Sequence, residues 1–463
     1  MRTRPHRRQF AVLAVMCLLA GVLVVVGTGP AAAGPTKPMA ENVIVMIADG
    51  WGFDHDVAGS YYAEGAAERR PWNRFPTDLA MSTYMGYDEG DDCHGWGYNP
   101  TDAWADFNYV KECYTDSAAA ATAMSTGVKT YNGAIGVDMT EQPVPHVLEL
   151  AEDMGKATGV ITSVEWTHAT PAGFAAHNVS RNNYAEIGQE MVYDSAVDVV
   201  MGAGHPWYDA DGQYKTTPNT FKYVGGEDTW NDLVAGTAGG DANGDGADDP
   251  WVLIETRTEF QALATGPTPT RVLGTAQVYQ TLQKNRSGDG YADPYIVPLI
   301  ESVPTLEEMT KAALNILDDD PDGFFLMIEG GAIDWASHGN ESGRMIEEEL
   351  DFAASVNAVV DWVQRNSNWG ETLLVVTADH ETGYLNGPGS DPTWMPVVNN
   401  GAGVLPGMEW HSGDHTNSPV PFFAKGDAAR MFKAYADEYD PVYGKYLDNT
   451  EMANVLFRTL DPS

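Results

Sequence analysis

Apolar residues gather in short unbroken runs, each followed by polar residues and then by an amphipathic stretch. Residues 43–47, 159–162, 324–328 and 373–377 are four such runs, and a run that is apolar on both faces predicts a buried strand. Helices are predicted over 117–126, 146–154, 306–317 and 345–365. Buried strands separated by helices predict an α/β fold, with a mostly parallel central sheet flanked by helices on both faces. Two regions break the pattern. From about 206 to 298 the chain is rich in Gly, Asp, Thr and Pro with poor periodicity, which predicts an irregular insertion on the core. Residues 87–108 form a second irregular stretch, dense in Gly, Asp and Trp.

The start of the chain changes the picture. Arg2, Arg4, Arg7 and Arg8 precede an apolar run over 10–27, and Ala31, Ala32 and Ala33 supply small residues for cleavage. This is the pattern of an export signal peptide over 1–33, with Arg7-Arg8 compatible with twin-arginine export. A retained anchor is the alternative for a run of this length. A secreted or periplasmic location is expected, with 34–463 forming the catalytic domain and no stable membrane association after cleavage. Cys17 falls in the leader, so Cys93 and Cys113 remain as an even pair, which predicts a disulfide in an exported chain. The formal charge of −40 argues against nucleic acid and anionic membranes as partners. The same field repels phosphate esters, so a site that takes them needs local positive charge, which points to metal ions.

Ligands of an open α/β sheet bind beyond the carboxyl ends of its strands. Acids fall there: Asp49 in IADGWG, Glu329 in IEGGAIDWASH, and Asp379 beside His380 in VTADHETG. Asp334 and His338 are spaced i,i+4, on one face of a helix. His415 follows in WHSGDHTN. Singly these are turn acids or solvated helix faces; together they offer the carboxylate and imidazole mixture that zinc accepts. Ser117, after Asp116 in CYTDSAAAATAMSTGVKT, stands where a helix should begin. A helix N-terminus favours an anion, and a metal can make a serine there nucleophilic.

Six segments in order, IADGWG, TDSAAAATAMSTGVKT, THATPAGFAAHNVSR, IEGGAIDWASH, VTADHETG and HTNSPVPFFAKG, resemble the alkaline phosphatase family from Glu41 to about Gly426. The resemblance implies hydrolysis of phosphate monoesters, with Ser117 becoming a phosphoserine beside Asp116 and Arg181 clamping two phosphate oxygens. It implies one zinc on Asp334, His338 and His415, and a second on Asp49, Asp379 and His380 with Ser117. A third metal, normally magnesium, would take Asp49, Thr170 and Glu329. His168 stands where the best-known bacterial members often carry aspartate near that metal, and Trp335 where they often carry a phosphate-contacting lysine. The third metal's identity is therefore open, and Trp335 is expected to weaken product binding. Many relatives are homodimers. A phosphodiesterase or phosphotransferase using the same metals is the alternative activity, and a non-catalytic, calcium-stabilised phosphate binder is the alternative class.

One motif lies outside this set. Asp241, Asn243, Asp245 and Asp249 have the spacing of a calcium loop with Gly246 at its turn, but Val252 replaces the closing glutamate. Calcium binding and an acidic surface turn are both compatible with it.

Overall fold

The computed structural model describes residues 39–87, 93, 97–242 and 246–462. The leader, and Asn243 and Asp245 of the acidic loop, lie outside the described residues.

Each apolar run becomes a strand slightly longer than its pattern: Asn42–Ile47, Ala157–Glu165, Phe324–Glu329 and Thr372–Thr377, all buried. They lie together within an 11-stranded sheet, in the order Thr372–Thr377, Asn42–Ile47, Phe324–Glu329, Ala157–Glu165, and all run parallel. The parallel run continues through Val199–Ala203 and Val272–Thr275 to Val252–Ile254 at one edge. On the other side Val420–Lys425 runs antiparallel between Thr372–Thr377 and Thr77–Ser82. Gly444–Asp448 and Glu438–Asp440 complete that edge.

Strands apolar throughout need cover on both faces. Helices Leu306–Leu317 and Ser342–Asn366 pack together as one group, and Ser117–Thr126, Ala169–Ala175 and Asn449–Leu460 as another; each group touches the strand Ala157–Glu165. Helix ends follow capping chemistry. The helix Val147–Asp153 starts at His146, whose ring accepts the Glu149 backbone N–H, and Thr305 caps Leu306–Leu317 in a capping box with Glu308.

The stretch from about 206 to 298 contributes the edge strand Val252–Ile254, its neighbour Val272–Thr275, and the helices Glu227–Ala235 and Arg257–Leu263. Part of it is thus woven into the sheet edge, while 276–305 holds no helix or strand. Cys93 and Cys113 are joined in a disulfide, with Cα atoms 5.8 Å apart. Among the described residues, no helix is long and apolar enough to cross a membrane.

Candidate active site and metal centre

The candidate residues meet at the carboxyl ends of the central strands. Asp49 lies two residues past Asn42–Ile47, Asp379 and His380 just past Thr372–Thr377, and Glu329 ends its own strand. The helix Ala332–His338 follows Glu329 closely and places Asp334 and His338 one turn apart. His415 arrives from a short ribbon in which it pairs with Thr382. The turn after Asp49 needs glycine: Gly50 has φ +75°, and a Cβ there would stand 2.8 Å from the Asp334 Cα. That close approach brings the first strand's acid against the helix that carries Asp334.

The hydrogen bonds around the two outer histidines fix their tautomers. His338 Nδ1 lies 2.6 Å from the Gly413 carbonyl, and His415 Nδ1 lies 2.8 Å from the Thr115 carbonyl. A carbonyl only accepts, so in the neutral form of each ring Nδ1 carries the hydrogen and Nε2 presents a lone pair. Those two Nε2 atoms are 3.0 Å apart, and they lie 3.4 and 3.6 Å from Asp334 Oδ1. Asp334 Oδ1 also accepts the Thr382 hydroxyl at 2.6 Å, and with two neutral Nε2 atoms beside it the three atoms form the donor set of a cation.

The second group has the same character. Asp379 Oδ1 accepts from the Gly50 and His380 backbone N–H groups at 3.1 and 2.9 Å, which leaves Oδ2 without a partner. His380 Nε2 lies 3.2 Å from that Oδ2, 3.6 Å from Asp49 Oδ1 and 3.2 Å from Ser117 Oγ. Beside it, Asp49, His168 and Glu329 bring ligand atoms together. Both Asp49 oxygens, Glu329 Oε1, Thr170 Oγ1 and His168 Nδ1 are buried without a hydrogen-bond partner. Thr162 donates to the other Glu329 oxygen.

Burial, with Asp379, Asp334 and Glu329 nearby, holds Asp49 well above the usual carboxylate range. Asp379 is pushed up to about 8, first by burial and then by Asp334. Burial keeps His380 neutral, well below its ordinary value, with His415 and His338 adding to the shift. Unpaired buried carboxylates cost several kcal/mol each, roughly, unless a cation meets them. Neutral imidazoles beside them are in the form that binds metal. The residues present therefore fit divalent metals.

Ser117 is the first residue of the helix Ser117–Thr126, and Asp116 caps it by accepting the Ala119 N–H at 2.9 Å. Asp116 also takes Arg181 Nη1 at 2.9 Å through its other oxygen, while Arg181 Nη2 lies 3.3 Å from His168 Nε2. The cap thus aims the guanidinium beside the serine. Trp335 packs edge-on to His168, with ring centroids 5.8 Å apart. Ser117, Arg181, His168, Asp334, Trp335, His338 and His415 all face one open cleft of about 530 Å³. Tyr114, Lys284 and Asp414 also line it. Tyr114 and Asp414 lie within segments that the sequence singles out; Lys284 comes from the irregular stretch and carries no local signal. Asp241 lies apart from these groups, and its Oδ2 accepts the Gly246 N–H at 2.9 Å.

A fourth His and Glu group, His146, Glu149 and His177, lies outside the cleft lining. Three of its four ring nitrogens are already committed. His146 Nδ1 accepts from Glu149, and the two His177 nitrogens face Glu190 and the Val144 carbonyl.

A serine at a helix N-terminus, faced by a guanidinium and by converging metal-ligand side chains, defines a phosphoryl-transfer hydrolase. The chain belongs to the alkaline phosphatase family, whose family model, described as "Alkaline phosphatase", matches residues 40–403. It is 30% identical to "Alkaline phosphatase 4" of Bacillus subtilis (strain 168), over 92% of this chain and 89% of that protein. Its fold is similar to the crystal structure of a cold-active alkaline phosphatase from the psychrophile Shewanella sp., with a TM-score of 0.63 and 24% identity over 90% of this chain and 99% of that one. It is also similar to a mutant of TAB5 alkaline phosphatase described with Mg bound in its M3 site, with a TM-score of 0.61 and 22% identity over 92% of this chain and 99% of that one. The protein is a phosphatase.

Proposed function

We propose that this phosphatase is exported and hydrolyses phosphate monoesters through a phosphoserine at Ser117. The observation that carries this reading is the pair of His338 and His415 lone pairs, 3.0 Å apart and facing Asp334, in the same cleft as Ser117. Asp334, His338 and His415 would hold one zinc, and Asp49, Asp379 and His380 a second. Asp49, Thr170 and Glu329, with His168 nearby, would hold a third metal, for which the magnesium named with the TAB5 relative is the precedent. Bound there, the metals would supply the positive charge that lowers the serine's proton affinity and stabilises charge on the departing oxygen.

The chain's own residues do the rest. Ser117 Oγ forms the bond to phosphorus, the ester P–O bond breaks, and the alcohol leaves with a proton. Water then forms a new P–O bond as the Ser117 bond breaks, releasing inorganic phosphate and restoring the hydroxyl. Arg181 grips two non-bridging oxygens with its planar fork, which favours monoesters over diesters. Asp116 keeps that fork aimed, and the helix N-terminus adds a favourable field for the phosphoryl group. Export is supported by the signal-peptide pattern and by the Cys93–Cys113 disulfide, which suits an oxidising compartment.

The test is p-nitrophenyl phosphate hydrolysis at alkaline pH by wild type and Ser117→Ala, each chelated and then given zinc and magnesium. Activity is expected only with both the metals and Ser117. A fully metallated wild type that cleaves diesters but no monoester would overturn the reading.

A further inference from the structure

Arg181 is delivered by an irregular segment, and such segments move unless something pins them. The helix Ala169–Ala175 ends at Ala176, and the chain reaches Arg181 through His177, Asn178, Val179 and Ser180. Asn178 exchanges both backbone hydrogen bonds with Ile135 at 2.7 and 2.9 Å, and the Arg181 N–H donates to the Gly133 carbonyl at 2.7 Å. His177 anchors the start of the segment. Its backbone N–H donates to Glu190 Oε1 at 2.9 Å, and its ring Nδ1 lies 3.1 Å from the same oxygen. Ring Nε2 lies 3.1 Å from the Val144 carbonyl.

The ring is also clamped between faces. It stacks on His146 with centroids 5.0 Å apart and planes 13° from parallel. A Cβ on Gly136 would stand 2.8 Å from His177 Cδ2, so only glycine leaves room for the ring. One imidazole thus ties the Arg181 segment to the loops carrying Gly136 and Val144, the cap of Val147–Asp153, and Glu190.

A carbonyl and a carboxylate both only accept, so making both ring bonds requires hydrogen on both nitrogens. That is the imidazolium. Burial opposes it, but the Glu190 bond, the Glu149 carboxylate and the Val144 carbonyl outweigh burial and raise His177 above its ordinary value. His146, also facing the ring, stays neutral because burial pushes it down to about 3. With a raised folded pKa, the anchor is complete below the ordinary histidine value and is lost as pH rises through the folded one.

We propose that His177 is a positioning residue for Arg181: the protonated ring, spanning Glu190 and Val144, holds the segment in its phosphate-binding geometry and releases it on deprotonation. The proposal rests on the reading that Arg181 grips the phosphoryl group. Its test is the inhibition constant of inorganic phosphate for the metallated enzyme, read as a ratio to wild type so that phosphate ionisation cancels. His177→Gln should weaken phosphate about three- to tenfold at the acidic end of the working range, the effect of part of one charge-assisted hydrogen bond. The ratio should fall toward one at the alkaline end, with kcat changed far less. Glu190→Gln should shift the wild-type inflection to lower pH. A ratio of one throughout, or a constant offset at every pH, would overturn the proposal. Arg181→Ala, run alongside, separates the failures. If it too leaves phosphate binding unchanged, the role given to Arg181 is wrong; if it alone weakens phosphate, only the positioning role is wrong.

Discussion

Two sets of acids are buried in this molecule, and only one gathers into sites for cations. The first lies on the helix Ser342–Asn366. There Glu347 accepts Arg286 Nη2 and the Tyr295 N–H at 2.6 Å each, Glu349 accepts Arg70 at 3.2 Å, and Asp351 accepts the Leu306 N–H at 2.9 Å. Glu348 is pushed up to about 8, first by burial and then by Asp351 and Glu347, and so keeps its proton at neutral pH. The second set is Asp49, Glu329, Asp334 and Asp379. Their oxygens converge with neutral histidines, and six buried polar atoms there have no hydrogen-bond partner: both Asp49 oxygens, Asp379 Oδ2, Glu329 Oε1, Thr170 Oγ1 and His168 Nδ1. On the helix Ser342–Asn366, Glu348 Oε1 and Glu349 Oε2 are also buried without a partner, but among the described residues the acids of that helix form no three-ligand group, whereas those of the second set take part in three. Burial of an acid is therefore no sign of function by itself; convergence of unmet acceptors is.

Substitutions that replace one acid from each set by its amide should break this symmetry. Asp379→Asn removes the only charge of a side chain already held by two backbone N–H groups. It should lower kcat/KM at least about 100-fold and reduce retained metal. Burial pushes Glu349 up to about 8 against the opposing pull of Arg70, so at neutral pH Glu349→Gln replaces a protonated acid with a neutral amide of similar shape and should cost about 1 kcal/mol or less in unfolding experiments. Its kcat per folded molecule should equal that of wild type. Equal losses of metal from both variants would erase the distinction.

A pH-dependent effect sharpens the same contrast. Glu348 has a folded pKa of about 8, above that of the unfolded chain. The unfolded chain therefore loses this proton first as pH rises. The group's contribution to stability falls between the unfolded and folded pKa values and is level above them. Glu348→Gln should remove that slope and stabilise the protein at pH 8 relative to pH 5 by about 2–4 kcal/mol, read by denaturant unfolding. An identical pH slope in both proteins would contradict the assignment. Smallest of all, Trp335→Lys should tighten inorganic phosphate about threefold by placing one more cation in the cleft. An unchanged inhibition constant would show that Trp335 does not govern product release.

Much of this was legible in the chain. The helices Ser117–Thr126 and Leu306–Leu317 span the residues their patterns predict, and the four apolar runs are neighbouring strands. Periodicity, capping and burial agree in those segments, so local signals suffice. The convergence of Asp49, Asp334, Asp379, His380 and His415 was legible because strand-end placement follows from the fold class. The last two strands on one side of the sheet, Val272–Thr275 and Val252–Ile254, were not, since three or four residues amid polar sequence leave no period to read. The partners of the helix acids were hidden for another reason: Arg70 and Glu349 are 279 residues apart, and only tertiary packing brings them together. The stacking of His177 on His146 is equally non-local.

The central claim is that the unmet acceptors at the strand ends are a metal centre that serves Ser117. The most direct measurement is equilibrium dialysis of chelated wild type and Asp379→Asn against zinc, with bound metal counted per chain. The account predicts more than one tightly held zinc in wild type and fewer in the variant. Equal uptake by the two proteins, or none by either, would contradict it.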